Sequence, residues 1–462
     1  MFVNRVSELE LLEKRFALGK AEFFVLYGRR RVGKTELLAR FCEGKRSIFF
    51  VSDLGSEISL RTALSAAVNS TLFGPNQMNA VYSTWEDLFH ALAQAAQNER
   101  LVVVLDEFPY LVTAHPPLAT ILQRVWDQTL KTGQIMIILC GSYIGMMEET
   151  VLGYQAPLYG RRTGQYLLEP LQFKDARLFY PSFPLEDQVR AYAVYGGTPA
   201  YLHTIQSQQS LKDNILDGIL TRGSFLYDEV RFVLQQELRE PRNYFAILQA
   251  IAAGKTRLNE IKLATGIDGA TAYLETLQQL HLVERLVTVT ETQPQKSRRG
   301  IYRLKDQYLR FWFRYVHPNR SQLERGAAQT ILENQVLPEI DHFASLTFEE
   351  VCQQFFWHAG FSGKLPFVPT NIGNWWNAHE EIDLIVLGEN DAILVECKWA
   401  SKPVGTDILK ELERKTLLAS AELEDRHIYY ALCSRSGFTA QLIEDASRRQ
   451  DLTLFDLPEI VG

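Results

Sequence analysis

Residues 22–27, EFFVLY, form a short apolar run that passes directly into GRRRVGKT, from Gly28 to Thr35. An apolar run of this length reads as a strand buried on both faces. The segment after it fits G-x-x-x-x-G-K-[ST]. In that pattern small residues let successive main-chain N–H groups point at phosphate oxygens. A helix is expected to open at Gly33 and to run through Glu36, Leu37, Leu38 and Phe41. Strand, glycine loop and helix in this order commit the chain to a parallel sheet covered by helices on both faces. Apolar runs at 47–51, 101–105 and 135–140 supply further strands, with helical stretches between them such as 85–97.

The chemistry of these residues points to a nucleotide. Lys34 can reach the outer phosphates, and Thr35 can offer its hydroxyl to Mg²⁺. Leu101–Leu105 ends in two acids. Asp106 is expected to help hold Mg²⁺, and Glu107 to orient and deprotonate the attacking water. A third strand ends in Cys140-Gly-Ser142, where Ser142 is either a sensor of the γ-phosphate or a turn serine. Arg161 and Arg162 either neutralise charge developing during hydrolysis or form a solvated basic pair. Arg29, Arg30 and Arg31 either face solvent and local acids or join the phosphate contacts. Gly28, Arg31, Val32, Gly33, Lys34, Thr35 and Glu36 make up the expected lining of the phosphate site.

Several segments together resemble the prokaryotic AAA-type ATPases of the archaeal ATPase family, relatives of the STAND signalling NTPases. They are Phe2–Arg5 with Glu8 and Leu9, GRRRVGKT, LDEFPYL (105–111), CGSYIGMM (140–147), PLYGRRTG (157–164) and GGTPAYL (196–202). The resemblance covers roughly residues 1–205. It implies that Asn4 and Arg5 lie near the adenine and that Pro199 belongs to a lid motif packed near the nucleotide. ATP and Mg²⁺ are the cofactors expected.

Residues 166–225 read as helical, interrupted by proline and glycine. Helical periodicity returns at 243–251, 257–264 and 269–281. Two β segments follow, at 282–289 and 301–304, with a polar loop between them. Three helices and a hairpin is the winged-helix order. Residues 296–320 hold eight basic residues, Lys296, Arg298, Arg299, Arg303, Lys305, Arg310, Arg314 and Arg320, against the single acid Asp306. A basic wing of this kind suits phosphate contacts on DNA. Against that, the expected recognition helix (269–281) carries no basic residue. Tyr308, Phe311, Trp312 and Tyr315 have the spacing of a buried helix face.

Near the C-terminal end, IDLIVL (382–387) and AILVEC (392–397) read as a hairpin closed by Gly388–Asp391. Alternation along a strand puts Glu396 and Lys398 on one face and Cys397 on the other. Asp383 starts the partner strand. Two carboxylates and a lysine in an apolar sheet are costly unless a cation joins them. Mg²⁺ held by Asp383 and Glu396 can polarise a phosphodiester, and Lys398 can position the water. This stretch resembles the PD-(D/E)xK nuclease superfamily, and within it the domain of unknown function that often follows this ATPase type. The resemblance implies a further acid from the preceding helix, Glu349 or alternatively Glu350. The leading proline of the pattern is replaced by Ile382.

The expected architecture is therefore α/β. A P-loop ATPase core (1–165) is followed by a helical lid (166–235), a winged helix (236–330) and a restriction-endonuclease-like domain (331–462). The net charge of −7, from 48 basic and 55 acidic residues, excludes wrapping nucleic acid over the whole surface, so any DNA contact is local. The five cysteines are scattered, odd in number and without C-x-x-C spacing, which argues against a disulfide framework or a thiolate zinc site and for a reducing compartment. No apolar run approaches the ~20 residues that span a bilayer, and the N-terminal residues do not read as a signal peptide. A cytoplasmic location without membrane contact is expected. The function expected is ATP hydrolysis coupled to DNA binding or Mg²⁺-dependent DNA cleavage. The alternative is an ATP-dependent switch whose terminal domain only binds a partner. A homo-oligomer fits either.

Overall fold

Strand β1 (Glu22–Tyr27) sits inside a five-stranded parallel sheet with the order β2–β3–β4–β1–β5. Its neighbours are β2 (Ser47–Val51), β3 (Leu101–Asp106), β4 (Ile135–Gly141) and β5 (Gly164–Leu167). Phe23 and Val25 enter one core cluster while Phe24 and Leu26 enter another, so both faces of β1 are covered. On one side lie α1 (Val6–Ala17) and α2 (Lys34–Cys42), and their Leu12, Leu37, Leu38 and Phe41 pack on Val102, Val104 and Ile138. On the other side α3 (Glu57–Phe73), α4 (Trp85–Ala95), α5 (Phe108–Ala114) and α6 (Leu118–Gln128) bury Leu64, Trp85, Leu111 and Trp126 against Val103 and Ile137. The computed structural model describes residues 2–74, 81–142, 144–238, 241–297, 299–423 and 426–462.

The strands expected at 22–27, 47–51, 101–105 and 135–140 are present. Strand β5 differs from the expected helical run that begins at 166. Four residues are too short to show a period, and pairing with Phe24–Tyr27 decides their conformation.

The chain divides into two compact units, Met1–Pro170 and Leu171–Gly462. In the second, α7 (Pro241–Ala252), α8 (Leu258–Thr265) and α9 (Ala270–Gln279) precede an antiparallel pair, β6 (Val283–Leu286) and β7 (Ile301–Leu304). The helix α10 (Leu337–Phe361) then leads to a mixed sheet of order β12–β11–β10–β9–β8. Its strands are β8 (Asn371–Trp376), β9 (Glu381–Leu387), β10 (Asp391–Lys398), β11 (His427–Ser434) and β12 (Leu452–Asp456). β9 and β10 are antiparallel, whereas β10 and β11 are parallel. Helix α11 (Thr406–Leu423) covers one face of the sheet, where Leu409 and Leu412 meet Ala392 and Leu394.

The expected basic wing is not a free cationic surface. Arg303 pairs with Glu284 and Glu350, Arg310 with Glu350, Arg314 with Glu339, Arg320 with Asp228 and Glu324, and Arg299 with Glu422. Arg298 lies outside the described residues. In the loop after β6, Val289 N–H bonds the Asn374 carbonyl of β8 at 2.9 Å, so this loop is tied to the C-terminal sheet. Tyr308, Phe311, Trp312 and Tyr315 are core, in line with their spacing.

Candidate functional site

The first site lies at the C-terminal ends of β1, β3 and β4. Gly28 has φ +152°, and a Cβ there would come within 2.4 Å of the Leu168 carbonyl oxygen, so no other residue fits the turn. Gly33 is the N-cap of α2, and Val32 is fully buried beneath the loop. Lys34 folds back over the loop and donates to the carbonyls of Gly28 and Arg29, both at 2.8 Å. Thr35 Oγ1 donates to Asp106 Oδ2 at 2.6 Å. The other Asp106 oxygen accepts the Glu107 N–H at 2.9 Å. Glu107 adopts a left-handed backbone, φ 52°, and its carboxylate accepts Ser142 Oγ at 2.6 Å. Thr35, Asp106, Glu107 and Ser142 thus form one hydrogen-bonded series, and Lys34 is held by the carbonyls of the loop itself.

The remaining candidates of this site fall in other places. Arg5 is buried, paired with Glu8 at 2.9 Å, and donates to the carbonyls of Val32 and Glu169. It braces the phosphate loop from beneath. Asn4 is exposed beside it, Glu36 is exposed on the first turn of α2, and Arg31 holds a left-handed φ of 69° inside the loop. Arg161 pairs with Asp127 at 3.0 Å, and Arg162 donates to the carbonyls of Val151 and Leu152. Both guanidinium groups therefore already have protein partners. Pro199, in the second unit, opens the short helix Pro199–Leu202. Just before it, a Cβ at Gly197 would lie 1.8 Å from the Leu171 carbonyl oxygen, which accounts for the glycine in GGTP.

The second site lies at one end of the β9–β10 pair. Lys398 Nζ is 2.6 Å from Glu396 Oε1 and 4.0 Å from Asp383 Oδ2. Asp383 also accepts the Cys397 N–H at 2.8 Å. Lys415, on α11, brings its ammonium to 3.3 Å from Glu396 Oε2. Lys415 had no motif to announce it. Its one signal is a lysine three positions after the core residue Leu412, on the buried face of an amphipathic helix. Burial, and then the charge of Glu396, pushes the Asp383 carboxyl up to about 6. Burial, and then Asp383, pushes Glu349 of α10 up to about 9. Burial of Glu350 is outweighed by Arg310 and Arg303, which hold its carboxyl below the usual range. Glu350 is therefore spent on an internal ion pair, and Glu349 is the acid placed beside Asp383. Glu349, Asp383 and Lys415 line a cavity of about 930 Å³, together with Arg310, Trp376 and His379. Trp375, by contrast, is core and donates its indole N–H to Glu422.

Residues 2–205 match a family described as an ATPase domain predominantly from Archaea. Residues 312–416 match a second family, of archaeal and bacterial proteins of unknown function. An uncharacterised protein of Methanocaldococcus jannaschii is 34% identical over 465 residues, which cover 99% of this chain and 100% of that one. The chain belongs to this archaeal-type ATPase family. An uncharacterised ATP-binding protein of the same organism is 56% identical over 46 residues, 10% of this ATPase and 78% of that protein. Among solved structures, a Walker-type ATPase of Pyrococcus abyssi superposes with a TM-score of 0.50 at 21% identity, covering 68% of this chain and 96% of that one. At that identity the likeness shows the fold alone. The ATPase thus joins a P-loop, ATP-binding core to a C-terminal region of a family without assigned function. Among the described residues no helix is long and apolar enough to cross a membrane.

Proposed function

We propose that this ATPase couples its nucleotide state to a metal-dependent phosphodiesterase centre acting on nucleic acid. In the first unit, Lys34 would leave the Gly28 and Arg29 carbonyls for the outer phosphates of ATP. Thr35 and Asp106, already paired, would hold Mg²⁺, which supplies charge neutralisation of the phosphates. Glu107 would take the proton of the attacking water once its bond to Ser142 opens.

The observation that carries the second half is the convergence of Glu349, Asp383, Glu396 and Lys398 on one strand end. Two of these carboxyls are held toward their protonated forms by burial and mutual repulsion. Such a donor set fits a hard divalent cation. Bound there, Mg²⁺ would polarise a phosphodiester and lower the pKa of water. Lys398 would orient that water, Lys415 would hold Glu396, and the wall of the adjoining cavity would receive the substrate. A PD-(D/E)xK-like nuclease domain, with α7–α9 and β6–β7 as a winged-helix-like module packed against it, is the reading these positions support. The test is cleavage of linear, circular and single-stranded DNA with Mg²⁺ or Mn²⁺. The wild type should cut at least one of these substrates and Glu396→Ala none. No cleavage by either protein removes the nuclease half.

One observation favours a second reading. Glu396 is already neutralised by Lys398 and Lys415, as a sealed structural triad would be. In that case the terminal region only binds a partner, and ATP turnover switches its availability. Slow hydrolysis with an ATP-dependent change in scattering profile, and no cleavage, would support it.

A further inference from the structure

The thiols of Cys352, Cys397 and Cys433 take part in neither centre described above. They come from three elements, α10, β10 and β11 respectively. Cys397 and Cys433 are direct neighbours in the parallel register of β10 and β11. Alternation along β10 turns Cys397 away from Glu396, to the face opposite α11, where Cys352 meets it. The three sulfur atoms lie within 4.8 Å of one another. Cys352 and Cys433 are fully buried, and Cys397 is 7% exposed. Among the described residues no histidine, carboxylate or further cysteine joins the group. The spacing along the chain gave no sign of this cluster; the fold gathers residues 352, 397 and 433 at one point.

We propose that these three sulfurs form a binding site for a soft, thiophilic metal ion in trigonal coordination, with Cu(I) the ion that fits. A metal–sulfur distance near 2.3 Å puts the sulfurs of a trigonal site about 4.0 Å apart. The observed spacing therefore needs to close by less than about 1 Å. Thiolates select Cu(I) and Zn²⁺ over harder ions. Structural zinc takes four ligands, and among the described residues no fourth protein ligand joins the three. Cys397, the least buried of the three, offers the way in at the end of β10. Each thiol that becomes a thiolate releases its proton to solvent. Cys352 is one helical turn from Glu349, and Cys397 adjoins Glu396. A loaded site would therefore clamp the helix carrying one acid to the strand carrying another. The thiol site stands whether or not the acid centre cuts nucleic acid.

The experiment uses the full chain, reduced, anaerobic and free of nucleotide. Cu(I) is delivered from a competing chelator, with Cd²⁺ as a second probe. The expected result is a thiolate-to-metal charge-transfer absorption that saturates at one ion per chain, with a rise in thermal midpoint of about 4 °C or more. Cys352→Ala and Cys433→Ala should lose both signals, while Cys42→Ala and Cys140→Ala keep them. If Cys433→Ala folds poorly by circular dichroism, Cys352→Ser supplies the comparison. Three results would overturn the site. One is no absorption from a folded chain whose five thiols all titrate as free after unfolding. Another is an absorption that survives Cys352→Ala. The third is a Cys397–Cys433 disulfide in the protein purified under reducing conditions. Each would leave the three sulfurs as core filling only.

Discussion

Thr35, Asp106 and Glu107 are tied to one another by hydrogen bonds, and Lys34 to the loop carbonyls of Gly28 and Arg29, before any nucleotide arrives. In the proposed function, Glu107 is the residue whose change should separate binding from turnover. Glu107→Gln keeps the shape of the side chain and removes the proposed base, so hydrolysis should fall about 10²–10⁴-fold. ATP affinity should stay near that of the wild type, measured by calorimetry beside a phosphate-release assay. Gly28 is a different kind of residue, because backbone geometry alone fixes it. Gly28→Ala places a Cβ 2.4 Å from the Leu168 carbonyl oxygen at a φ few side chains adopt. It should cost the first unit about 1–3 kcal/mol and abolish ATP binding, read by denaturant titration and calorimetry. Equal stability and affinity in Gly28→Ala would show that the loop moves freely.

At the scale of elements, α10 is held by buried charge as well as by apolar packing. Glu350 is neutralised by Arg310 at 2.6 Å, and both side chains are nearly buried. Arg310→Ala strips the closer partner and should destabilise the second unit by about 3–5 kcal/mol, measured by urea unfolding. One face along, Glu349 and Asp383 keep protons that an unfolded chain gives up, since their carboxyls rise from ordinary values of 4.5 and 3.8 to about 9 and about 6. Their contribution to stability is therefore complete at low pH and is lost as pH rises through those values. In chelator, the thermal midpoint of this unit should decline between about pH 5 and pH 9. Saturating Mg²⁺ should flatten the decline, because the cation replaces the protons. A midpoint that rises over this range would contradict the placement of the two acids.

These elements also show what a sequence can disclose. Strands β1 to β4 were legible because each is an unbroken apolar run. Asp106 and Lys398 were legible because they end such runs. β5 was hidden by its length, and Lys415 by the absence of any pattern around a single helix position. The cluster of Cys352, Cys397 and Cys433 was hidden because it forms only when α10 is laid over β10 and β11. The basic stretch 296–320 misled for the opposite reason. Its partners Asp228, Glu284, Glu339, Glu350 and Glu422 lie elsewhere in the chain, so its local charge says little about its field.

For the whole molecule, the proposed function amounts to a chain with one centre in each unit, both acting on phosphate chemistry through carboxylates and lysines. Lys34→Ala should abolish ATP hydrolysis and leave cation binding at Asp383 unchanged, since the two centres share no residue. If nucleotide state governs the second centre, DNA cleavage by Glu107→Gln, which retains ATP, should differ from cleavage by Lys34→Ala. Equal rates in the two variants would uncouple the centres. The most direct measurement is calorimetric titration of Mn²⁺ into the nucleotide-free full chain, beside Thr35→Ala and Asp383→Asn. A C-terminal metal centre predicts one ion per chain that persists in Thr35→Ala and vanishes in Asp383→Asn. Absence of binding, or binding that survives Asp383→Asn, would mean that lysines alone satisfy those acids and that the centre is structural.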